Sequence, residues 1–304
     1  MPPKERQRVT LRDLRTFAKY HLKRRVHDYP APETELGIVG LGYDADEFAA
    51  SMRGFAGRFA VDTVEEIPYG GRSHPMLRVA TPPARRTLLV LAGVHGNEHA
   101  GILAVPEILA RFAEPSVRLV ALAPVNPVGA AEMSRYNGDG FDINRDFVRF
   151  ETREARAVRR VFEEERPDFV VSLHEGPQDA SFMFLNRYVD AALARRVAQA
   201  VAAGGSALAE RDYFGRRLDP PGVAPMSRAT WLITALWART LQMKATGMWC
   251  DDRGVPEITL ESAWRLDDRA ARTRAHVDLV SAVVAELADQ AFSGATAGSP
   301  DHTH

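Results

Sequence analysis

Cysteine is almost absent: Cys250 is the single one in 304 residues. That excludes an internal disulfide framework and a cysteine-rich metal site. Charge of one sign is absent too. The 39 Lys and Arg balance 40 Asp and Glu, a formal net charge of -1, so nothing global attracts nucleic acid or a membrane surface. No apolar run approaches the length of a membrane span. The N-terminus, MPPKERQRVTLRDLRTF, lacks the apolar core of a secretory signal. A soluble, cytoplasmic chain is the expectation. What is present is an ordinary globular composition, 45% hydrophobic and 26% charged, long enough to bury a large core.

The chain is organised around residues 88–100, LLVLAGVHGNEHA. Leu88, Leu89, Val90 and Leu91 read as a buried strand that ends near Gly93. His95 and Glu98 follow at its carboxyl end, where open α/β sheets place their ligands. Both residue types bind zinc, and catalytic zinc sites commonly combine two His and one Glu with a water. The pair alone is a fragment, and needs a third ligand, a base and a substrate clamp from elsewhere.

Residues 11–26 carry apolar side chains at Leu11, Leu14, Phe17, Leu22 and Val26, the pattern of a basic amphipathic helix. A second helix is expected over 45–57, capped by Asp44 or Asp46, then a hairpin over 65–80. Strands are expected at 87–93, 117–123, 168–173 and 256–260. Helices are expected at 99–112, 152–165, 188–203, in one or two pieces within 227–245, and at 266–290. This alternation indicates an α/β fold, a mainly parallel sheet covered by helices on both faces. The expected organisation is a helical extension over 1–60, one catalytic domain over 61–292 and a disordered polar tail over 293–304.

Other candidates share the chemistry. His174 closes the apolar run 168–173, a second histidine at a strand's carboxyl end. Glu175 beside it is a competing ligand, ranked lower. Asp142, Asn144 and Arg145 lie in DINRDF, and a neighbouring Asn and Arg can fix a carboxylate. Arg135 is a cation placed to stabilise an oxyanion. Glu257 and Glu261 share one face of a short strand; Glu261, at the carboxyl end, is the better general base. Taken singly, the histidine reads as a hydrogen-bonded structural residue and the others as a surface ion pair, a turn, an exposed cation or a capping acid.

Together the set resembles the zinc carboxypeptidase family, over roughly residues 65 to 290. HGNE, DINRDF and ITLE carry the likeness, with His174 between the last two. The resemblance implies one Zn2+ held by His95, Glu98 and His174, with Asp142 orienting His95. Arg135 would polarise the scissile carbonyl, Asn144 and Arg145 would bind the substrate's free carboxylate, and Glu261 would act as base and then acid. It also implies a mixed, mainly parallel eight-stranded sheet between helices. Two departures stand out. The family's tyrosine in the loop before the catalytic Glu is missing, since the last tyrosine is Tyr213; Trp249 or Lys244 are the substitutes at hand. An Arg- and Pro-rich loop over 211–228 is also unusual.

The expected activity is hydrolysis of an amide next to a free carboxylate, first as a metallocarboxypeptidase on a small peptide. An N-acyl amino acid deacylase of the succinylglutamate desuccinylase and aspartoacylase branch is the alternative. That branch shares HGNE and Asn-Arg but carries a C-terminal β domain, and 43 residues follow Glu261 here. A non-catalytic ligand-binding relative is the remaining reading. Asp251 and Asp252 read first as a solvated turn, with selection of a basic side chain in the substrate as the second reading. Oligomeric state is not set by the sequence.

Overall fold

The structure, a computed structural model, describes residues 40–296 apart from 213, 214, 265 and 267, together with Arg25 and Ile38. Eight strands form one mixed sheet: β1 (Ala60–Tyr69), β2 (Arg72–Ala80), β3 (Arg86–Ala92), β4 (Val117–Ala123), β5 (Phe169–Gly176), β6 (Phe182–Leu185), β7 (Val223–Pro225) and β8 (Glu257–Ala263). Their order across the sheet is β1-β2-β4-β3-β5-β8-β6-β7. The central neighbours β4, β3, β5 and β8 run parallel. The edges are antiparallel where β2 meets β4 and β6 meets β8.

Eight helices are seen among the described residues: α1 (Ala45–Arg53), α2 (His99–Arg111), α3 (Pro127–Ala131), α4 (Arg153–Glu165), α5 (Ala191–Ala203), α6 (Arg228–Thr240), α7 (Thr246–Asp251) and α8 (Arg269–Thr296). Two cores follow from the period-two alternation of the strands. Leu88, Val90, Leu173, Ile258 and Leu260 face one side, against Ile102 and Leu109 of α2, Val197 of α5 and Leu279 and Val283 of α8. Leu89, Leu91 and Val170 face the other, against Val158 and Phe162 of α4 and Trp249 of α7. A strand apolar on both sides is what a central parallel sheet requires, and LLVL supplies it.

Connectivity creates the crevice. The chain leaves β3, crosses through α2 to β4 on one side, then returns to β5 on the other side of β3. The carboxyl end of β3 is therefore a topological switch point, the place where the flanking loops part and ligands enter.

Several expectations are refined. Asp44 is the cap of α1, its Oδ1 accepting from the Glu47 N–H at 2.8 Å. The helix ends at Arg53 and a tighter turn continues to Gly57. The short strands β6 and β7 and the five-residue α3 were not anticipated, because elements this brief carry too few residues to show a period. The apolar segment within 227–245 resolves into α6, followed by α7 beyond it. The closing helix α8 reaches Thr296, past the expected start of the tail at Ser293; residues 297–304 lie outside the described residues. So does the expected helix at 11–26, except Arg25, whose Nε donates to the Asp139 carbonyl at 3.1 Å and whose guanidinium sits 4.7 Å from the Phe141 ring centroid. Among the described residues no helix is long and apolar enough to cross a membrane.

Trp249 fastens α7 to the second core, packed on Phe147, Phe150 and Phe162 with ring centroids 5.5, 5.8 and 4.6 Å away. Truncating a buried aromatic loses its contacts and leaves a cavity. Trp249→Ala should cost about 3–5 kcal/mol in chemical denaturation, whereas Leu236→Ala on exposed α6 should stay within about 0.5 kcal/mol.

Candidate metal centre

The loop that leaves β3 turns sharply because Gly96 has no side chain. A Cβ there would lie 2.0 Å from the Gly129 carbonyl carbon, so His95-Gly96-Asn97 packs directly on the backbone of α3. This places His95 over the sheet end and starts α2 at Glu98, its N-cap. His174 comes from the end of β5, the strand beside β3.

The three side chains converge. Glu98 Oε1 lies 2.7 Å from His95 Nδ1, and Glu98 Oε2 lies 2.7 Å from His174 Nδ1. The two Nδ1 atoms are 3.1 Å apart, with ring centroids 4.7 Å apart. All three residues are buried. The ligand atoms of this trio lie within 4.8 Å of one another, forming the one such cluster among the described residues. Two imidazole nitrogens aimed at each other and at one carboxylate are a donor set of N, N and O, which suits a divalent cation such as zinc. The far nitrogens, His95 Nε2 and His174 Nε2, are buried without a hydrogen-bond partner among the described residues, so the rings present Nδ1 to the centre.

Asp142 stands behind His95, with Oδ1 3.4 Å from Nε2, too poorly aligned to count as a formed hydrogen bond but close enough to orient the ring. Its Oδ2 accepts from Arg135 Nε at 3.0 Å and Nη2 at 2.8 Å. Arg135 Nη1 in turn lies 3.3 Å from His95 Nδ1. The residues named from sequence as metal ligands and as the oxyanion cation are thus gathered at one point.

Electrostatics follow the geometry. Burial opposes charge on Glu98, but the flanking His95 and His174 outweigh it and hold the carboxyl far below its ordinary range. Burial likewise opposes Asp142, and Arg135 and then Arg145 overcome it, holding Asp142 ionised. Burial and Arg135 oppose a proton on His95, and Glu98 with Asp142 tip the balance upward. His174 is shifted down, chiefly by burial against the pull of Glu98.

Glu261 is the in-register partner of His174 on the neighbouring parallel strand. Paired residues on adjacent strands point to the same face, about 4.8 Å apart. Arg145 feels the charge of both Asp142 and Glu261, while burial lowers its pKa. Its Nη1 donates to the Asn144 carbonyl at 2.8 Å. Asn144 is tied to α7, its Oδ1 accepting from the Thr246 N–H at 3.0 Å.

Glu175, the rival ligand, is excluded by alternation. It points to the opposite face, where its Oε1 accepts from Arg272 Nε at 2.9 Å and its Oε2 from the Ala100 N–H at 2.8 Å. Period two alone would have separated His174 from Glu175; the partner Arg272, 97 residues away, had no signal in the sequence. Asp251 and Asp252 have partners of their own: Asp251 Oδ2 is 2.7 Å from Arg187 Nη2, and Asp252 pairs with Lys244. Asp251 is buried rather than in a solvated turn. Trp249 lies in the core, which removes it as a cover for a bound terminus. A cavity of about 290 Å³ lies between α6 and α7, with Val148, Trp231, Arg239, Lys244 and Met248 on its walls.

Comparison with known proteins agrees with this geometry. The sequence model of the succinylglutamate desuccinylase/aspartoacylase catalytic domain matches residues 84–208. Carboxypeptidase 2 of Trichophyton rubrum is 27% identical over 127 residues, 38% of this chain and 24% of that protein. The chain thus matches about a quarter of the length of these curated relatives. A crystal structure from Shewanella denitrificans superposes with a TM-score of 0.64 at 17% identity, covering 81% of this chain and 91% of that one. The fold is carboxypeptidase-like. A metallo-carboxypeptidase from Pseudomonas aeruginosa, solved with (2-guanidinoethylmercapto)succinic acid, shares the carboxypeptidase-like fold at a TM-score of 0.58 and 19% identity, covering 81% of this chain and 70% of that one.

The two adjacent residues at the end of β5, His174 and Glu175, separate in experiment. His174→Ala should lower bound metal, read by elemental analysis, because it removes one of the three ligands. Glu175→Ala removes the carboxylate that ion-pairs with the buried Arg272 guanidinium and should cost about 3–5 kcal/mol. Equal metal loss in both variants would contradict the two-face assignment.

Proposed function

We propose that the protein is a metal-dependent hydrolase that cleaves an amide bond next to a free carboxylate, with zinc as the ion and a peptide C-terminus as the first substrate class. The observation that carries this is the buried convergence of His95, Glu98 and His174 at the switch point, beside an in-register Glu261. An ion held by the trio supplies Lewis acidity at the scissile carbonyl.

The chain's own residues do the rest. Glu261 accepts a proton from the attacking water and returns it to the leaving nitrogen, the work of a carboxylate beside the reacting atoms. Arg135, buried and oriented by Asp142, donates to the oxygen on which negative charge develops. Arg145 binds the substrate carboxylate through its guanidinium fork. With its Oδ1 engaged by α7, Asn144 has its NH2 as the donor for the same carboxylate. Asp142 fixes His95 so that Nδ1 faces the centre.

A second reading, hydrolysis of an N-acyl amino acid, is favoured by one finding: the match of residues 84–208 to the desuccinylase and aspartoacylase catalytic domain. Both reactions use the same centre and differ in what occupies the acyl side. A panel of dipeptides and murein-type peptides set against N-acetyl and N-succinyl amino acids, read by released amine with and without chelator, separates them. No release from any member by the metal-loaded protein would count against both.

Glu261→Gln should retain metal while turnover falls by about 10²–10⁴-fold; near-full activity would remove Glu261 from the base role. Arg145→Ala should raise KM for free-carboxylate substrates by about tenfold or more, measured by initial rates. Equal cleavage of amidated substrates by the parent would contradict the clamp.

A further inference from the structure

Glu257 begins β8 four residues before Glu261 and lies on the same face of the sheet. It is buried, 1% exposed, and the reaction above does not use it. Its Oε1 accepts from Thr259 Oγ1 at 2.7 Å, and the Ser172 hydroxyl of neighbouring β5 is close enough to act on its pKa. From Ser172 the contact continues: its Oγ lies 3.4 Å from Thr246 Oγ1. The Thr246 N–H donates to Asn144 Oδ1. Thr246 opens α7, and the next residue, Gly247, leaves the room the acid fills, since a Cβ there would lie 2.6 Å from Glu257 Oε2. The carboxyl therefore sits beneath the first turn of α7, linked through two hydroxyls to Asn144 and so to Arg145.

We infer that Glu257 is a positioning residue that works as a neutral carboxylic acid: while protonated it supports the first turn of α7 and, through Ser172 and Thr246, the Asn144–Arg145 segment. The inference rests on the carboxylate-binding role proposed above for that segment.

The surroundings say why the proton matters. From β5 the facing groups are Ser172 and apolar Val170; from β8, Thr259; from the 186 turn, Asn186, which accepts from the Glu257 N–H at 3.1 Å. From α7 the ionisable group is Cys250, its thiol pushed up by burial first and then by Glu257, with Asp251 and Arg253 also acting on it. Among the described residues no Lys, Arg or His pairs with Glu257. Burial raises its pKa to about 7, against the Thr259 and Ser172 hydroxyls that lower it. Ionised, the group is acceptor only. It then draws the Ser172 hydroxyl proton to itself and withdraws it from Thr246, beside an uncompensated buried charge.

The sign is fixed by linkage. A carboxyl raised from 4.5 to about 7 in the folded state contributes stability fully present below the lower value and lost as pH rises through the upper one. If the clamp requires the protonated form, apparent affinity for a carboxylate falls about tenfold between about pH 6 and about pH 8.

The experiment has two readouts on the metal-loaded protein. Hydrogen-exchange protection of the peptide spanning 244–252 reports α7 without reference to substrate. Calorimetric binding of N-acetyl-L-alanine reports the clamp, measured in the Glu261→Gln background so that nothing is hydrolysed. In the parent sequence protection should fall as pH rises through about 7. In Glu257→Gln, neutral and of the same shape, it should stay high and flat across that range. In Gly247→Ala, which crowds the carboxyl, it should be low throughout. The probe's Kd should follow the same three patterns. An identical pH response in the parent and Glu257→Gln would overturn the inference. Protection that follows Glu257 while the probe binds at no pH would instead sink the carboxylate-clamp reading and leave the positioning of α7 by Glu257 standing.

Discussion

The Glu98 carboxylate is the constraint on which the centre depends. It is 2% exposed, and a charge so buried is tolerable only when paired and hydrogen-bonded. Its two oxygens are met by imidazoles from two different strand ends. That ties the loop after β3 to the end of β5 and sets where α2 begins. Asp142 repeats the arrangement one layer back, between Arg135 and His95. The site is a chain of coupled groups rather than a set of independent side chains. Removing one member leaves its neighbour's charge uncompensated, which makes the cluster sensitive to single substitutions and orders the cationic groups before any ligand arrives.

The sheet distributes two kinds of polar chemistry to its two faces. On one, His174 and Glu261 lie side by side toward the carboxyl ends of β5 and β8, with Ser172 and Glu257 further back against the start of α7. On the other, Glu175 pairs with Arg272, both side chains without exposure, and accepts from the N-terminal turn of α2. That second pair anchors α8 and α2 to the strand that carries His174. The reactive face is thereby supported from behind by an ion pair that takes no part in it.

Much of this was legible in the chain. The run LLVL, ending in a glycine before His95, marked both the central strand and its ligand end, because burial on both faces leaves a continuous apolar signature. His174, Asp142, Asn144, Arg145 and Glu261 stood out by residue type at strand ends and turns. What escaped depended on contacts between residues far apart. Arg272 opposite Glu175, Arg187 opposite Asp251 and Thr246 beneath Asn144 have no local pattern, since a partner 64 to 102 residues away leaves no periodicity. The strands β6 and β7 were too short to alternate visibly. Spacing put Glu257 on the face of Glu261 and no more; its lack of a counter-charge became visible only with the fold.

The adjacent His174 and Glu175 also bear on how β5 finds its place. A one-residue slip would turn every side chain of the strand to the opposite face. The histidine would then enter the apolar layer beside Arg272, cation against a ring that gains nothing there, and Glu175 would crowd Glu98, acid against acid. Hydrophobic patterning polices such a slip only weakly, because FVVSL sets Phe169, Val171 and Leu173 on one side and Val170 with the small Ser172 on the other, and all of it is buried. The two polar residues at the strand's tip do the rest. They act as a proofreading mark that makes the misaligned sheet electrostatically frustrated, so the residues that serve the reaction also specify the alignment that creates its site.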